Sequence, residues 1–399
     1  MLISVAEASQ IVVNHKLNLG EEYVSLENSM GRILREDLIA DREFPPFDRV
    51  TMDGIAISYA AFEKGQRVFP IQEIQAAGME QKTMSEENHC MEVMTGATLP
   101  KNTDTVIRYE DLEIKNGTAR IILDQLKFRQ NVHFKGNDRS QGAIIVRAGG
   151  KISAAEIGVA ATIGKTTVKV AQVPKAVIIT TGDELVEVAE TPLPHQIRSS
   201  NIYKIKSSLH QWGIPAVTLH LVDDKTAIKM SLQECLQKYE VIILSGGVSK
   251  GKFDFVPEVL EDLAVAKLFH RVAQRPGKPF WFGQKENTCV FALPGNPVSS
   301  FMCLHRYFQP WLQATLDLPE AIPPHAILQE NFTFKPDLTY YLQVKIQYNT
   351  AGQILAFPFE GNGSGDLANL VDADAFLELP RGKELFQKGE IFPLMIYRN

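Results

Sequence analysis

The sequence lacks the features that mark membrane and exported proteins. No stretch of its 399 residues approaches the roughly 18 consecutive apolar residues that a membrane-spanning helix needs. The apolar stretch near the start contains Glu7 and is not preceded by a basic segment, so we expect no signal peptide. These absences predict a cytoplasmic protein without a membrane partner.

Cysteine is scarce, and no pair of cysteines has CxxC spacing. The four residues are Cys90, Cys235, Cys289 and Cys303, and the nine histidines form neither HxxxH nor HExxH. A disulfide framework and a structural zinc site therefore lose their usual sequence signals. We expect small, buried thiols in a reducing compartment.

Excess positive charge is also missing, since the net charge is −6 and the pI is about 5.9. A nucleic-acid partner is not expected, because such binding depends on clustered Lys and Arg that neutralise phosphates. Neither GxGxxG nor GxxxxGK[ST] occurs, which removes the main support for a Rossmann dinucleotide site or a P-loop. A local basic cleft for a small anion is compatible with this composition.

The pattern that is present predicts an α/β multidomain chain. From Ala176, apolar strands alternate with amphipathic helices, which indicates an α/β domain with a mostly parallel sheet. The proline-rich "LPEAIPPHA" follows, and then short β segments. We predict four domains: a discontinuous helical linking domain (1–44 with 139–172), an inserted β-rich domain (45–138), the α/β domain (173–318) and a small, barrel-like C-terminal β domain (325–399).

Three strand ends of the α/β domain combine glycine with polar residues. They are Gly182-Asp183-Glu184, Gly246-Gly247 with Asp254 shortly after, and Gly295-Asn296-Pro297, which opens a helix. Ligands bind beyond the carboxyl ends of such strands, and glycine lets backbone N–H groups cradle an anion. The acidic residues would repel a bare phosphate unless Mg²⁺ bridged them. Turn chemistry explains any one of these stretches, whereas three together favour a binding site.

Basic residues cluster in "FHRVAQRPGKPFWFG", which contains Arg271, Arg275 and Lys278. If this stretch is extended, Arg271 and Arg275 lie on one face, where paired guanidinium groups suit an oxyanion. The alternative is a solvated surface strand. Composition alone identifies the stretches that contain Asp53 and Thr95 only as loops, which turn chemistry explains.

Together these stretches resemble the molybdopterin molybdotransferase family, which includes the C-terminal domain of gephyrin. The resemblance rests on "PPFDRVTMDGIAI", "VMTGATLP", "NVHFKGND", "TTGDELVE", "SGGVSKGKFDFV", "RVAQRPGKPFWFG" and "LPGNPVSS", which occur in the family's order. It implies that the α/β domain binds molybdopterin. It also implies that molybdate is inserted into adenylylated molybdopterin, with release of AMP and Mg²⁺ assistance. Family members are elongated homodimers whose active site is shared between subunits.

The resemblance assigns roles to individual residues. The acids are Asp254 and Glu184, which would hold Mg²⁺, together with Asp223, Asp138 and Asp53. Substrate binding falls to Thr95, Gly182, Asp183, Ser245, Gly246, Gly247, Lys278, Pro294, Gly295 and Asn296. The molybdate pocket would contain Arg271, Arg275 and Ser364.

Four positions depart from the family pattern. Arg275 replaces a lysine, Ser199 replaces an acid, and Lys252 replaces a glutamate. Thr339 stands where the family has an arginine of the molybdate pocket, with Lys345 as a substitute. These changes leave the choice between molybdate and tungstate open.

Two other functions remain as alternatives. A molybdopterin adenylyltransferase has the same molybdopterin-binding fold, but the long N-terminal segment and the C-terminal β domain argue against it. A carrier or scaffold without turnover is compatible with the departures at Ser199, Lys252 and Thr339. Retention of Asp53, Glu184, Asp223 and Asp254 argues against that alternative, because a scaffold has no use for clustered carboxylates.

Overall fold

The computed structural model describes residues 2–247 and 255–398. They form two compact units. The first unit comprises Met1–Glu22, Gly31–Ile33 and Lys169–Asn399, and the second comprises Tyr23–Met30 and Leu34–Val168. In the described parts of the chain, no helix combines the length and the apolar composition needed to cross a bilayer.

The described residues fold into short helices and strands. The α-helices are α1 (Val5–Asn14), α2 (Tyr59–Glu63), α3 (Ala154–Thr162), α4 (Asn201–Gln211), α5 (Lys225–Lys238), α6 (Val256–Asp262), α7 (Pro297–Cys303), α8 (Gln309–Thr315) and α9 (Asn369–Asp372). The strands are β1 (Glu21–Ser25), β2 (Leu38–Ile39), β3 (Arg49–Val50), β4 (Gly54–Ile57), β5 (Val68–Gln75), β6 (Cys90–Val93), β7 (Thr105–Arg108), β8 (Leu112–Lys115), β9 (Thr118–Ile121), β10 (Val132–His133), β11 (Ile144–Val146), β12 (Thr167–Ala171), β13 (Ala176–Thr181), β14 (Leu185–Val186), β15 (Ile197–Arg198), β16 (Ala216–Leu221), β17 (Val241–Ser245), β18 (Ala266–His270), β19 (Gln274–Arg275), β20 (Trp281–Lys285), β21 (Thr288–Leu293), β22 (His325–Leu328), β23 (Phe332–Thr333), β24 (Thr339–Tyr348), β25 (Ile354–Pro358), β26 (Ala375–Leu379), β27 (Leu385–Phe386) and β28 (Ile391–Ile396).

A six-stranded sheet forms the centre of the first unit, in the order β16-β13-β17-β21-β20-β18. The strands β16, β13, β17 and β21 are parallel, as predicted, whereas β20 and β18 run antiparallel at one edge. The sheet is therefore mixed. The antiparallel edge arises because Glu286, at φ 49, begins a two-residue turn that pairs β20 with β21.

Helices cover both faces of this sheet, which is why β13, β17 and β21 are buried apolar runs. One face packs against α1, α4, α7 and α8, and the other packs against α5 and α6. The segment that follows β21 is helical from Pro297 to Thr315, with a π-helical stretch at Leu304–Phe308. Pro310 has no N–H group for the regular α-helical hydrogen bond, which accounts for the irregular stretch.

The C-terminal part of the first unit is a closed five-stranded barrel. The strands pair in the order β24-β25-β22-β28-β26, and β26 returns to β24. Closure leaves no free sheet edge, and Leu342, Val344, Ala356 and Leu377 fill the interior. The predicted barrel-like domain is therefore confirmed. One further strand, β19, joins β24 in parallel and so connects the loop before β20 to the barrel.

The second unit contains a six-stranded sheet in the order β7-β4-β6-β5-β9-β8. It arises from the short, glycine-punctuated segments that the sequence predicts to be β-rich. The stretch "SAAEIGVAATIG", in the segment 139–172 predicted to be helical, forms α3 with a capping box between Ser153 and Glu156. The four-domain division is finer than the two units and stays a prediction.

The stretch "LENSMGRILREDL", which lies in the segment 1–44 predicted to be helical, does not form a helix. Only a single 3₁₀ turn, Leu26–Asn28, forms there, and the chain reaches strand β2 at Leu38. Gly31 adopts φ 77, a left-handed conformation that interrupts a right-handed helix. The predominantly helical nature predicted for residues 1–44 is therefore limited to α1.

Candidate functional site

The carboxyl ends of β13 and β17 are shaped by glycines with positive φ. Gly182, Gly246 and Gly247 have φ values of 138, 105 and 67. A Cβ atom on Gly247 would lie 2.8 Å from Val256 Cγ2, so only glycine fits there without movement. These loops have the backbone conformation that the sequence predicts for an anion cradle.

Three predicted acids lie at the ends of β13 and β16. Asp183 and Glu184 are exposed, and Asp183 Oδ1 accepts a hydrogen bond of 3.1 Å from the N–H of Asp223. The Glu184 carboxylate folds back toward Gly182, since a Cβ there would lie 2.6 Å from Glu184 Oε2. The structure thus brings Asp183 and Asp223 together and places Glu184 on the adjoining turn.

Carboxylate oxygens of this kind fit Mg²⁺ in donor type. Asp254, the other predicted ligand, and Lys252 lie outside the described residues. Within 2–247 and 255–398, no group of three or more His, Cys, Asp or Glu side chains could hold a metal ion. A magnesium site therefore stays a prediction that depends on Asp254.

Asn201 connects the ends of β17 and β21. Its Nδ2 donates to Ser245 Oγ at 3.0 Å and to the carbonyl of Gly295 at 2.6 Å. The two loops also touch directly, because a Cβ on Gly295 would lie 3.6 Å from Gly246 Cα. Two of the three predicted strand-end loops thus form one surface.

A cavity of about 320 Å³ lies in the first unit, between the β19–β20 loop, the start of α7 and the barrel. Five of the predicted site residues line it, namely Arg275, Lys278, Pro294, Asn296 and Ser364. Tyr340, Gln343 and Glu360 also line it and were missed by the sequence analysis. The cavity therefore brings two exposed cations together with hydroxyl and amide donors.

Buried hydrogen bonds hold the basic loop of this cavity in place. Gln274 is fully buried, and its Nε2 donates to the carbonyl of Gly277 at 3.0 Å while its Oε1 accepts from the Tyr307 hydroxyl. Gly277 has φ 86, and a Cβ there would lie 2.5 Å from Cys303 Sγ. This rigid support fixes the backbone between Arg275 and Lys278.

The barrel contributes Ser364 to the same cavity. Its Oγ accepts a hydrogen bond of 2.8 Å from Asn296 Nδ2, and its carbonyl accepts one of 3.1 Å from the N–H of Val298. The loop before α7 and the barrel loop "GNGSG" are thereby joined. Ser364 and Arg275 line the same cavity, which is consistent with the prediction that they belong to one pocket.

An aromatic wall lies beside Arg275. The ring of Tyr340 stacks on Phe334, with centroids 4.2 Å apart, and the Arg275 guanidinium lies 5.9 Å from the Phe334 centroid. The Tyr340 hydroxyl donates to Glu360 Oε1 at 2.8 Å. Burial raises the pKa of Tyr340, so this hydroxyl stays protonated and keeps Glu360 in place.

The other predicted pocket residues lie elsewhere. Arg271 follows β18 with φ 85, so the stretch is not continuously extended and the shared face with Arg275 is not formed. Arg271 is absent from the described cavity lining. Thr339 lines a different cavity, and Lys345 Nζ lies 4.6 Å from the Phe359 centroid. Lys345 therefore does not replace an arginine in this cavity.

The remaining predicted residues belong to the second unit. Asp53 Oδ1 accepts hydrogen bonds from Thr95, at 2.6 Å from its N–H and 2.7 Å from its hydroxyl. These bonds, the backbone one first, hold the pKa of Asp53 below its usual value. Asp138 Oδ1 lies 2.8 Å from His133 Nε2, and His133 Nδ1 lies 3.1 Å from the Arg49 guanidinium. Both carboxylates are exposed and fixed in position.

Comparison with protein-family models covers nearly the whole chain. Residues 3–164 match the MoeA N-terminal region (domain I and II). Residues 177–314 match a probable molybdopterin binding domain, and residues 325–397 match the MoeA C-terminal region (domain IV). The second match covers the strand-end loops, and the third covers Ser364.

Full-length relatives agree with these matches. A Synechocystis sp. protein named molybdopterin molybdenumtransferase is 43% identical over 396 residues, which are 98% of this chain and 99% of the relative. The Staphylococcus epidermidis protein of the same name is 30% identical over 402 residues, covering 99% and 95% of the two chains. The crystal structure of a molybdopterin biosynthesis MoeA protein from Pyrococcus horikoshii is 27% identical, with a TM-score of 0.83 and full coverage of both chains.

Proposed function

Because the chain belongs to the molybdopterin molybdenumtransferase family, we propose that it inserts molybdate into adenylylated molybdopterin and releases AMP. The observation that carries this proposal is the cavity containing Arg275 and Lys278. Asn296 lines that cavity, and its neighbour Gly295 is joined through Asn201 to the glycine cradle after β17. An oxyanion pocket and a pterin phosphate cradle are thereby adjacent.

The two cations of the cavity suit a tetrahedral oxyanion, while the Glu360 carboxylate in the same lining is held by the Tyr340 hydroxyl. Arg275 presents forked N–H donors and Lys278 an ammonium group, while Ser364 and Asn296 add neutral donors. Molybdate is a dianion that must approach a substrate already bearing phosphate. Positive groups fixed in advance where negative charge accumulates reduce that electrostatic cost. In our proposal, Arg275 and Lys278 bind molybdate, and Ser364 orients it.

The substrate would lie along the strand ends. Backbone N–H groups around Ser245, Gly246 and Gly247 would bind its phosphate side, where positive φ exposes successive donors. Pro294, Gly295 and Asn296 would contact the pterin end, since Pro294 and Asn296 line the molybdate cavity. Gly182 and Asp183 would bind the adenylyl side of the same ligand.

We further propose that the reaction depends on Mg²⁺, held by Glu184 together with Asp254. The support is the exposed Glu184 carboxylate beside the backbone of Gly182 and the nearby Asp223. When bound there, Mg²⁺ would polarise the pyrophosphate bond. Glu184 would position the ion against the loop whose N–H groups bind phosphate.

A homodimer with a shared active site, located in the cytoplasm, completes the proposal. Asp53, Thr95 and Asp138 of the second unit would contribute to such a shared site. Hydrogen bonds hold the carboxylates of Asp53 and Asp138 in position. The cytoplasmic location is supported by Cys90, Cys235, Cys289 and Cys303, which are all free and buried.

The decisive experiment is to incubate the purified protein with adenylylated molybdopterin, Mg²⁺ and molybdate. We expect AMP release that requires molybdate, together with formation of molybdenum-loaded cofactor. Replacing molybdate by tungstate tests the oxyanion preference of Arg275. Consumption of ATP would instead indicate an adenylyltransferase, and tight pterin binding without AMP release would indicate a carrier.

The magnesium proposal predicts a specific defect in Glu184→Gln. The amide keeps the shape of the carboxylate but removes its charge, so half-maximal AMP release should need about tenfold more Mg²⁺. Titration of the initial rate with MgCl₂ measures this shift. Glu187→Gln, an exposed acid near the same strand end, serves as the control and should behave as wild type. An unchanged Mg²⁺ requirement in Glu184→Gln would rule out this ligand.

A further inference from the structure

Lys204 is a half-buried lysine that no sequence motif marks. It lies on α4, and its Nζ donates to Asn201 Oδ1 at 2.9 Å, to the carbonyl of Pro297 at 2.5 Å and to Ser300 Oγ at 3.1 Å. The three acceptors match the three protons of an ammonium group, and all three are neutral. Burial lowers the pKa of Lys204 to about 7.

The acceptors of Lys204 belong to the segments that form the candidate site. Asn201 holds Ser245 Oγ and the Gly295 carbonyl through its amide nitrogen, while Lys204 holds its amide oxygen. Pro297 and Ser300 lie at the start of α7, directly after the loop that lines the cavity. One ammonium group therefore fixes the amide orientation of Asn201 and the start of α7 relative to α4.

None of the three groups that accept hydrogen bonds from Lys204 Nζ is a carboxylate. From α7, the ring of Phe301 lies 5.8 Å from Nζ, and from the π-helical stretch His305 faces the same region. Burial lowers the pKa of His305 to about 4, so it is neutral above pH 6. Tyr397 packs against Phe301, and burial raises its pKa to about 12, so it is neutral as well. Asn201 links the ammonium to the strand ends, because its side chain contacts Lys204, Ser245 and Gly295.

We propose that Lys204 is a positioning residue for the substrate cradle, and that binding of the phosphate-bearing pterin draws a proton onto it. This inference rests on the proposed function for the identity of the ligand. A neighbouring anion favours the ammonium form, and linkage requires that the ammonium form in turn binds the anion more tightly. Deprotonation would leave an amine with two N–H donors, so one of the three hydrogen bonds to Asn201, Pro297 and Ser300 would be lost.

Calorimetry tests the proton uptake without relying on turnover. Molybdopterin is titrated into the protein at pH 8 in two buffers of different ionisation enthalpy, because its phosphate is already dianionic there and adds little proton exchange. We expect wild type to take up a fraction of a proton, and Lys204→Met to take up none. Lys206→Met, at an exposed lysine on the same helix, is the control and should match wild type. Equal proton uptake in wild type and Lys204→Met would overturn the proposal.

The pH profile of AMP release separates positioning from simple structural support. For wild type, kcat/KM should fall as the pH rises above 7, mainly because KM increases. Well above pH 7 the fall should approach about tenfold per pH unit. Lys204→Met should have a raised KM and lack this limb, whereas Lys204→Arg should keep a low KM at pH 8. A wild type that binds molybdopterin but releases no AMP would contradict the proposed function and leave the calorimetric test intact. A fall in kcat/KM that persists unchanged in Lys204→Met would contradict the role of Lys204.

Measurements of the free energy of unfolding show whether Lys204→Met remains folded. The unfolded chain binds a proton at Lys204 up to about pH 10.5, whereas the folded chain loses it near pH 7. The unfolded state therefore holds more protons between pH 7 and 10.5, and the contribution of Lys204 to stability rises with pH across that window. Lys204→Met should lose this slope and remain folded at pH 7. A wild-type slope in Lys204→Met would show that the ammonium is not buried as described.

Discussion

Replacing Gly54 by alanine should prevent the second unit from folding. Gly54 begins β4, which pairs with both β6 and β7 inside the six-stranded sheet. A Cβ atom there would lie 1.8 Å from the carbonyl oxygen of Ile107, a backbone atom that cannot rotate away. The strand would have to leave its partner, at a cost of about 4 kcal/mol or more. Thermal unfolding followed by circular dichroism should show loss of one transition or no soluble protein.

Gly158→Ala in the same unit is the matched control. Gly158 lies inside α3, and no atom lies within 4 Å of the position that a Cβ would occupy. Alanine is the better helix former, so this variant should gain about 0.5–1 kcal/mol of stability. If both variants unfold at the wild-type temperature, the close approach of β4 and β7 described here is incorrect.

The strand-end loops could be predicted from the sequence because their signals are local. An apolar run followed by glycine and a polar residue predicts both the strand and the conformation of its end, as Gly182 and Gly246 show. The parallel arrangement then brings such ends to one edge of the sheet.

The walls of the cavity could not be predicted in this way. Tyr340 and Glu360 reach it only because β24 pairs with β19 across more than sixty residues of chain. Arg271 was grouped with Arg275 by spacing, but its left-handed conformation ends the extended stretch between them. Lys204 has the sequence context of an exposed helical lysine, but it is half-buried and α7 supplies two of its three acceptors. Each of these features depends on tertiary contacts that periodicity does not encode.

Removal of the two cavity cations should have the largest effect on catalysis. The double variant Arg275→Ala/Lys278→Ala removes both cationic donors that the loop from Gln274 to Lys278 provides to the cavity. Each charge-assisted contact contributes about 1.5–3 kcal/mol, so the KM for molybdate should rise at least about 100-fold. Steady-state AMP release as a function of molybdate concentration measures this change, and thermal unfolding verifies that the protein remains folded.

Arg271→Ala tests whether molybdate binds in the described cavity or at the position that the family resemblance implies. The family resemblance places Arg271 in the molybdate pocket, whereas the described cavity lining contains Arg275 and Lys278 without it. Its backbone contacts Phe280 and Ile3, and these contacts do not depend on the side chain. The KM for molybdate in Arg271→Ala should therefore stay within about threefold of wild type. A rise as large as that of the double variant would mean that the oxyanion binds outside this cavity, on the side of the loop that Arg271 occupies.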